Sequence, residues 1–244
     1  MRTTIGLTVI LTLSAILGST AACFAGSKIR PVQSWADFRA SLLEEGKSEP
    51  DADAEIAVML SSLNEMDRAA GDDRLGTAAP PFHFDAWLNS RPLALQELRG
   101  KVVLVRWWTD TCPFCASSSP ALRVLHAEFA GKDFVLIGVF HPKAGRDDPL
   151  DVARVERAVA ARQFEFPVAI DWNWREGTLK DWWLTGPKRP ATSVTFILDK
   201  EGIVRFIHPG MEYHDNADPA PGQHAMCADD LGRIRAAISR LLAE

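Results

Sequence analysis

The sequence predicts an α/β protein, in which helices flank a mixed central sheet and a helical extension precedes it. Two apolar runs of strand length, 102–108 and 133–140, are each followed by a segment with helical spacing. This alternation is typical of parallel strands joined by helices. Two β-rich runs on either side of Lys200-Glu201-Gly202 predict an antiparallel hairpin. The hairpin makes the predicted sheet mixed.

Residues 1–25 predict an export signal. Arg2 precedes an apolar stretch, and small residues follow it up to Ala25. The apolar stretch is shorter than the roughly 20 residues that a membrane span requires. Three alternatives stay open for this segment: cleavage, retention as a membrane anchor, or lipid attachment at Cys23. The third matches a lipoprotein signal less well, because Thr20 stands where such signals usually carry an aliphatic residue. We expect an exported protein, in a bacterial periplasm, that is either free or anchored through its N-terminus.

Residues 26–74 predict an N-terminal extension with two helices. The first covers 34–43 with Ser34 as its N-cap, and the second covers 55–69. A charged linker that contains Pro50 separates them. Two interpretations stay open at this point: an extension packed loosely on the main domain, or a spacer.

The α/β domain itself is predicted to span residues 75–244. Its predicted strands are 82–87, 102–108, 133–140, 166–170, 193–199 and 203–207, and its predicted helices are 93–98, 113–131, 152–163, 171–184 and 229–242. Four of the eight tryptophans lie within 171–184, where we expect a packed helix with an exposed apolar rim: Trp172, Trp174, Trp182 and Trp183. Residues 209–223 contain too many Pro, Gly and Asp for regular structure.

A Cys-x-x-Cys motif, Cys112-Pro113-Phe114-Cys115, follows the first apolar run directly. Pro113 is tolerated in the first turn of a helix, so Cys112 is predicted at the helix N-terminus. Unpaired N–H groups and the positive end of the dipole favour a thiolate there. Such positions lower a cysteine pKa from about 8.5 to between roughly 3.5 and 7.5. We therefore expect Cys112 to attack a disulfide and Cys115 to resolve the mixed disulfide.

Other roles for the cysteines stay open. Cys112 and Cys115 as half of a structural zinc site would need a second Cys pair, which the sequence lacks. A static disulfide between them would leave their position at a helix start unexplained. Cys227 is either a buried bystander or a third redox-active thiol. It also lies near His208, His214 and His224, which are either solvated or metal ligands. We assign no metal ligand and expect no cofactor.

The composition narrows the possible partners. The net charge is −5 with no basic block, which argues against nucleic-acid binding. The 47% hydrophobic content is enough for a substantial core.

Several motifs together resemble thioredoxin-fold proteins of the TlpA-like/redoxin family. They are the Ala-Pro-Pro-Phe opening at 79–82, the segment 95–108, the Cys motif and the Phe-Ile-Leu-Asp-Lys-Glu-Gly segment at 196–202. The resemblance covers residues 75–242. It implies a thioredoxin-like fold and thiol–disulfide oxidoreduction by Cys112 and Cys115. The implied partners are protein thiols or disulfides and an electron donor at the membrane.

The chain departs from the family pattern at three positions. Ser193 stands where the family usually has a cis-proline that faces the Cys pair, and the nearest proline is Pro190. Arg106 replaces a buried acid of thioredoxin, for which Asp110 is either a substitute or an exposed loop residue. Thr111 replaces the usual tryptophan.

We assign supporting roles to five residues: Asp110, Pro113, Phe114, Pro190 and Ser193. Exposed tryptophans and the loop near Ser193 are expected to form the partner groove. Neither the direction of electron flow nor the redox potential follows from the sequence.

Two alternative functions remain. A peroxiredoxin-like peroxidase requires a Thr-x-x-Cys site and an arginine placed to activate the peroxide. Thr109 precedes Cys112 by three residues, but the nearby Cys115 favours dithiol exchange. A metal-binding assembly factor requires the Cys pair together with a downstream histidine.

Overall fold

The computed structural model describes residues 29–63, 65–189, 191–215 and 225–244. Its helices are α1 (Trp35–Glu44), α2 (Glu49–Ser61), α3 (Pro113–Glu128), α4 (Val152–Ala161) and α5 (Ala225–Ala243). Its strands are β1 (Ala86–Leu88), β2 (Val102–Trp108), β3 (Phe134–Phe140), β4 (Val168–Ile170), β5 (Thr195–Leu198) and β6 (Val204–His208). The predicted export signal, Cys23, Pro190 and His224 lie outside the described residues.

The six strands form one sheet in the order β1-β4-β3-β2-β5-β6. β2, β3 and β4 run parallel, whereas the β1–β4, β2–β5 and β5–β6 pairs are antiparallel. The predicted α/β class with a mixed sheet is therefore confirmed. All seven residues of β2 are buried, because the strand has neighbours on both edges and packed layers on both faces.

Alternate side chains of β2 enter two different layers. Leu104 and Trp108 pack in the cluster that α3 and α5 cover, while Val105 and Trp107 pack in the opposite cluster. Arg106 shares the parity of Leu104 and Trp108, so its side chain starts towards the layer that contains α3.

The four tryptophans of segment 171–184 are buried, so the expected exposed rim is wrong. Each indole N–H donates to a backbone carbonyl, which satisfies its polar group without exposure to solvent. The acceptors are Asp148 O at 2.8 Å for Trp172, Pro142 O at 2.7 Å for Trp174, Pro80 O at 3.0 Å for Trp182 and Ala191 O at 2.6 Å for Trp183. This removes the tryptophans from the predicted partner groove.

The bounds of several elements differ from prediction, and the helix predicted at 171–184 is reduced to a short π-helix at Lys180–Leu184. Three further differences have a clear cause. α2 begins at Glu49, because Ser48 caps it by accepting from the Asp51 amide and Pro50 fits its first turn. The strand predicted at 82–87 is confined to 86–88, since Phe82 stacks on Trp182 with ring centroids 5.6 Å apart. α5 begins at Ala225, so Cys227 lies in a helix and not in a polar loop.

Gly138 on β3 offers a test of this packing. A Cβ there would lie 2.9 Å from a ring carbon of Phe166 and 3.2 Å from Trp108 Nε1. We expect Gly138→Ala to lower the free energy of unfolding by about 1–3 kcal/mol through overpacking. Gly232→Ala is the matched control, because it meets nothing within 4 Å on α5 and should stabilise by about 0.5–1 kcal/mol. Denaturant unfolding of the reduced proteins measures both, and equal effects would contradict the packing described.

Candidate active site

Cys112 and Cys115 lie where β2 gives way to α3, as the sequence predicts. Cys112 is the N-cap residue with extended backbone angles, and Pro113 occupies the first turn. Cys112 is partly exposed, whereas Cys115, one turn further, is only 3% exposed. Both are free thiols in the structure, as is Cys227. An incoming disulfide therefore meets Cys112 first.

The sulfurs of Cys112 and Cys115 are joined by an S–H···S hydrogen bond. The Cys112 thiol donates a hydrogen bond to the Cys115 sulfur, and this contact, together with Arg106 and Arg162, lowers the pKa of Cys115 to about 5. The same hydrogen bond and desolvation raise the pKa of Cys112 well above its usual value. These pKa directions favour Cys115 as the anion of the reduced pair, whereas the sequence predicted a lowered pKa for Cys112. Transfer of one proton along the S–H···S contact moves the charge to Cys112.

Arg106 is fully buried behind the pair. Its guanidinium donates to the carbonyl of Ser193, to Thr195 Oγ1 at 3.3 Å and to the Met211 carbonyl at 2.6 Å. Its Cζ lies 5.0 Å from the ring centroid of Tyr213. These acceptors are all uncharged, so the positive charge of Arg106 remains available to stabilise the nearby thiolate.

Arg162 is a second buried cation next to the pair. It donates to Ser119 Oγ at 3.1 Å, to the Thr109 carbonyl at 3.1 Å and to the Val32 carbonyl at 3.2 Å. Burial lowers its pKa, while the charges of Cys115, Cys112 and Asp110 act in the opposite direction. Arg162 thus joins the N-terminal extension, the loop before Cys112 and α3.

Asp110 is fully buried, so its interpretation as an exposed loop residue is wrong. Both of its carboxylate oxygens accept from Arg154, at 2.6 and 2.7 Å. A bidentate pair of this kind holds the carboxylate in a fixed orientation. The geometry therefore favours a structural anchor for the loop over the proton carrier that replaces the acid of thioredoxin.

The loop that leads into β5 reaches the site through Ser193. This residue is buried, and its carbonyl accepts from Arg106. The peptide bonds of the described residues include no cis bond. Pro190 lies outside these residues, so its role as the family's proline stays a prediction.

The N-terminal extension packs on the Cys motif, more closely than the loose contact considered above. Trp35 meets Phe114 edge to face with ring centroids 4.9 Å apart. Cys112 and Met211 pack against the cluster formed by α1, α2 and Phe114. The Val32 amide donates to the Asp110 carbonyl at 2.8 Å. The extension therefore covers part of the surface through which a substrate approaches Cys112.

Two other buried titratable groups lie at the carboxyl ends of the parallel strands. Burial lowers the pKa of His141 to about 3, so this imidazole is neutral at pH 7. Burial raises the pKa of Asp171 to about 6, against the hydrogen bonds from Leu179 and Trp107. A neutral His141 leaves the arginines as the buried cations that act on the Cys pair.

His208 and His214, the downstream histidines that the structure describes, form no cluster of potential metal ligands with the Cys pair. Among the described residues, the group of potential metal ligands that comes together is Glu212, His214 and Cys227. His208 instead pairs with Asp230 at 3.2 Å. An assembly factor that uses the Cys pair and a histidine thus lacks its third ligand in the part of the chain described.

The chain is similar to known proteins mainly over the α/β domain. The sequence profile of the AhpC/TSA family matches residues 75–207, more than half of the chain. The protein SUPPRESSOR OF QUENCHING 1 of Arabidopsis thaliana is 33% identical over 100 residues, which are 39% of this chain and 9% of that protein. Thiol-disulfide oxidoreductase ResA of Oceanobacillus iheyensis is 28% identical over 142 residues, 56% of this chain. The match spans 66% of the length of ResA.

A solved structure shows the fold. The thioredoxin-like superfamily protein SPOA0173 superimposes with a TM-score of 0.51 at 21% identity. The alignment covers 68% of this chain and 97% of that protein. The fold is therefore thioredoxin-like, as the resemblance implied.

Arg106 provides a test of the electrostatics. Removing a cation disfavours an anion, so Arg106→Met should raise the pH midpoint of thiolate formation from about 5 by about one pH unit or more. Arg106→Lys keeps the charge and should stay close to the wild-type midpoint. Thiolate ultraviolet absorbance and alkylation rate as functions of pH measure both. Equal midpoints in all three proteins would show that Arg106 does not stabilise the thiolate.

Trp35 provides a test of the cover over Cys112. Trp35→Ala removes the edge-to-face contact with Phe114, and we expect alkylation of Cys112 at fixed pH to become several-fold faster. Trp87→Ala is the control, because Trp87 packs in the cluster on the other face of the sheet. Peptide mapping after brief alkylation gives the rate. If both variants leave it unchanged, α1 does not restrict access.

Proposed function

The chain belongs to the AhpC/TSA family, and within it we propose a thiol:disulfide oxidoreductase that acts on protein disulfides through Cys112 and Cys115. The observation that carries this proposal is a pair of hydrogen-bonded cysteine sulfurs at a helix N-terminus, in which Cys112 is partly exposed and Cys115 is buried. That arrangement supplies an attacking thiolate and a resolving thiol one turn apart. The printed name of ResA describes the same reaction class.

The reaction runs through a mixed disulfide. The proton moves from Cys112 to Cys115, and the Cys112 thiolate attacks one sulfur of the substrate disulfide. The substrate S–S bond breaks, and its leaving thiolate takes a proton from solvent. Cys115 then loses its proton and attacks the Cys112 sulfur, which releases the second substrate thiol. Two electrons pass to the substrate, and the Cys112–Cys115 disulfide remains.

Arg106 and Arg162 act twice in this cycle. They stabilise the single thiolate of the reduced pair, and they favour Cys115 as the anion that resolves the mixed disulfide. A stabilised thiolate also shifts the redox equilibrium of the pair towards its reduced form, as in oxidising members of the thioredoxin fold. A dithiol donor, which we place at the membrane, returns the oxidised pair to its reduced form when the protein acts as a reductase.

We also propose that the protein is exported. Residues 1–25 supply the signal, with Cys23 as a candidate for a lipid anchor. Within the described part of the chain, every helix is too short or too polar to cross a bilayer. The partner surface surrounds Cys112 and the edge of α1, since the tryptophans of 171–184 are buried.

Dithiol exchange is favoured over peroxide reduction by the position of Thr109. Its hydroxyl donates to Asp110 Oδ1 at 3.3 Å, and its side chain is buried. Asp110 in turn is held by Arg154. Thr109 thus helps to hold the loop before Cys112 in place, and its hydroxyl is engaged with Asp110.

Trapping variants test the roles of the two sulfurs. Cys115→Ala removes the resolving thiol, so we expect stable mixed disulfides through Cys112 that run as high-mass species on non-reducing gels. Cys112→Ala removes the attacking thiol and should trap few or none. Mass spectrometry identifies the linked sulfur.

The reverse pattern, with partners linked mainly to Cys115 in Cys112→Ala, would contradict this assignment. Insulin reduction and peroxide consumption by the wild type separate the two reaction classes. We expect the first to depend on both cysteines and the second to stay near background. Rapid peroxide turnover without insulin reduction would favour a peroxidase.

A further inference from the structure

Three donor atoms of different chemistry meet between the loop after β6 and the start of α5. Glu212, His214 and Cys227 are only 1%, 5% and 2% exposed. Their donor atoms all lie within 4.8 Å of one another. Cys227 Sγ is 3.8 Å from Glu212 Oε1, and His214 Nε2 is 3.8 Å from the same oxygen.

We infer that Glu212, His214 and Cys227 bind a zinc ion. Carboxylate, imidazole and thiolate are the three ligand types that Zn²⁺ accepts. Bonds of about 2.0–2.3 Å in a tetrahedral site place donor atoms roughly 3.3–3.7 Å apart. The two measured separations of 3.8 Å need only small side-chain adjustments. A water molecule in the fourth position completes the coordination.

The chain holds two of these ligands on one side of a short segment. Glu212 and His214 flank Tyr213, whose amide donates to Ser118 Oγ at 3.2 Å and whose hydroxyl lies 3.2 Å from Thr195 Oγ1. Tyr213 therefore points into the core beside α3, while its neighbours meet Cys227. This alternation is typical of an extended backbone.

Cys227 is well placed as the third ligand. It lies in the first turn of α5, with its sulfur 3.8 Å from Glu212 Oε1. Burial and the carboxylates of Glu212 and Asp230 raise the pKa of its thiol to about 12, so the metal displaces the proton when it binds. The amide of His214 donates to its carbonyl at 3.3 Å, which already joins the two segments. When zinc binds, the Zn–S bond replaces the S–H bond and one proton leaves to solvent.

Asp230 is a neighbour and not a fourth ligand. Its oxygens accept from Arg68 at 2.7 Å and lie 3.2 Å from His208 Nε2. The negative charge of Asp230, one turn along α5 from Cys227, still adds attraction for a cation.

The ion would fix the segment that carries Met211, whose carbonyl accepts from Arg106. Zinc is redox-inert, so its contribution is structural. The site is independent of thiol exchange at Cys112 and Cys115, and each proposal stands or fails without the other.

The test uses the full chain with Cys112→Ser and Cys115→Ser, because the Cys pair would otherwise compete for metal. Zn²⁺ binding is followed with a chromophoric chelator, and Co²⁺ binding by its thiolate-to-metal charge-transfer band. We expect one equivalent of metal, the Co²⁺ band and a raised Tm with Zn²⁺. Adding Cys227→Ser should remove the band and weaken Zn²⁺ binding by at least about 100-fold.

A matched pair of histidine variants controls for packing. His214→Ala should weaken Zn²⁺ binding strongly, whereas His208→Ala removes the same atoms beside the cluster and should retain the Co²⁺ band. Circular dichroism confirms that each variant is folded. A folded background protein without stoichiometric binding, or a band that survives Cys227→Ser, would overturn the zinc site.

Discussion

A buried guanidinium joins the reactive motif to the rest of the fold. Arg106 lies on the interior strand β2 and donates to the carbonyls of Ser193 and Met211, which are 87 and 105 residues further along the chain. A buried cation costs several kcal/mol in desolvation unless hydrogen bonds and a counter-charge offset it. The hydrogen bonds are permanent, but the counter-charge is the thiolate of the Cys pair. The redox state of the pair is thereby linked to the electrostatics of the core.

The N-terminal extension belongs to the same arrangement. Arg162 holds the extension in place by donating to the Val32 carbonyl. The same guanidinium donates to Ser119 Oγ on α3. Trp35 covers Phe114, one of the two residues between the cysteines. Access to Cys112 and the charge on the pair are therefore controlled by neighbouring groups.

The fold was largely predictable because its strands and helices are set by local pattern. β2, β3 and the Cys helix follow directly from apolar runs and from Pro113. Contacts between distant segments were not predictable: Arg106 stood out as a departure, but its partners lie more than 80 residues away. The indole hydrogen bonds that bury Trp182 and Trp183 have no sequence signal. Glu212 was missed because only the folded chain brings it to Cys227.

The proposed function requires Cys112 and Cys115 to form a reversible redox couple. The most direct measurement equilibrates the protein in glutathione buffers of graded potential and maps the disulfides by mass spectrometry. We expect a two-electron transition in which Cys112 bonds to Cys115 while Cys227 stays reduced. A protein in which these two sulfurs never bridge, or in which Cys227 takes the place of either, would contradict it.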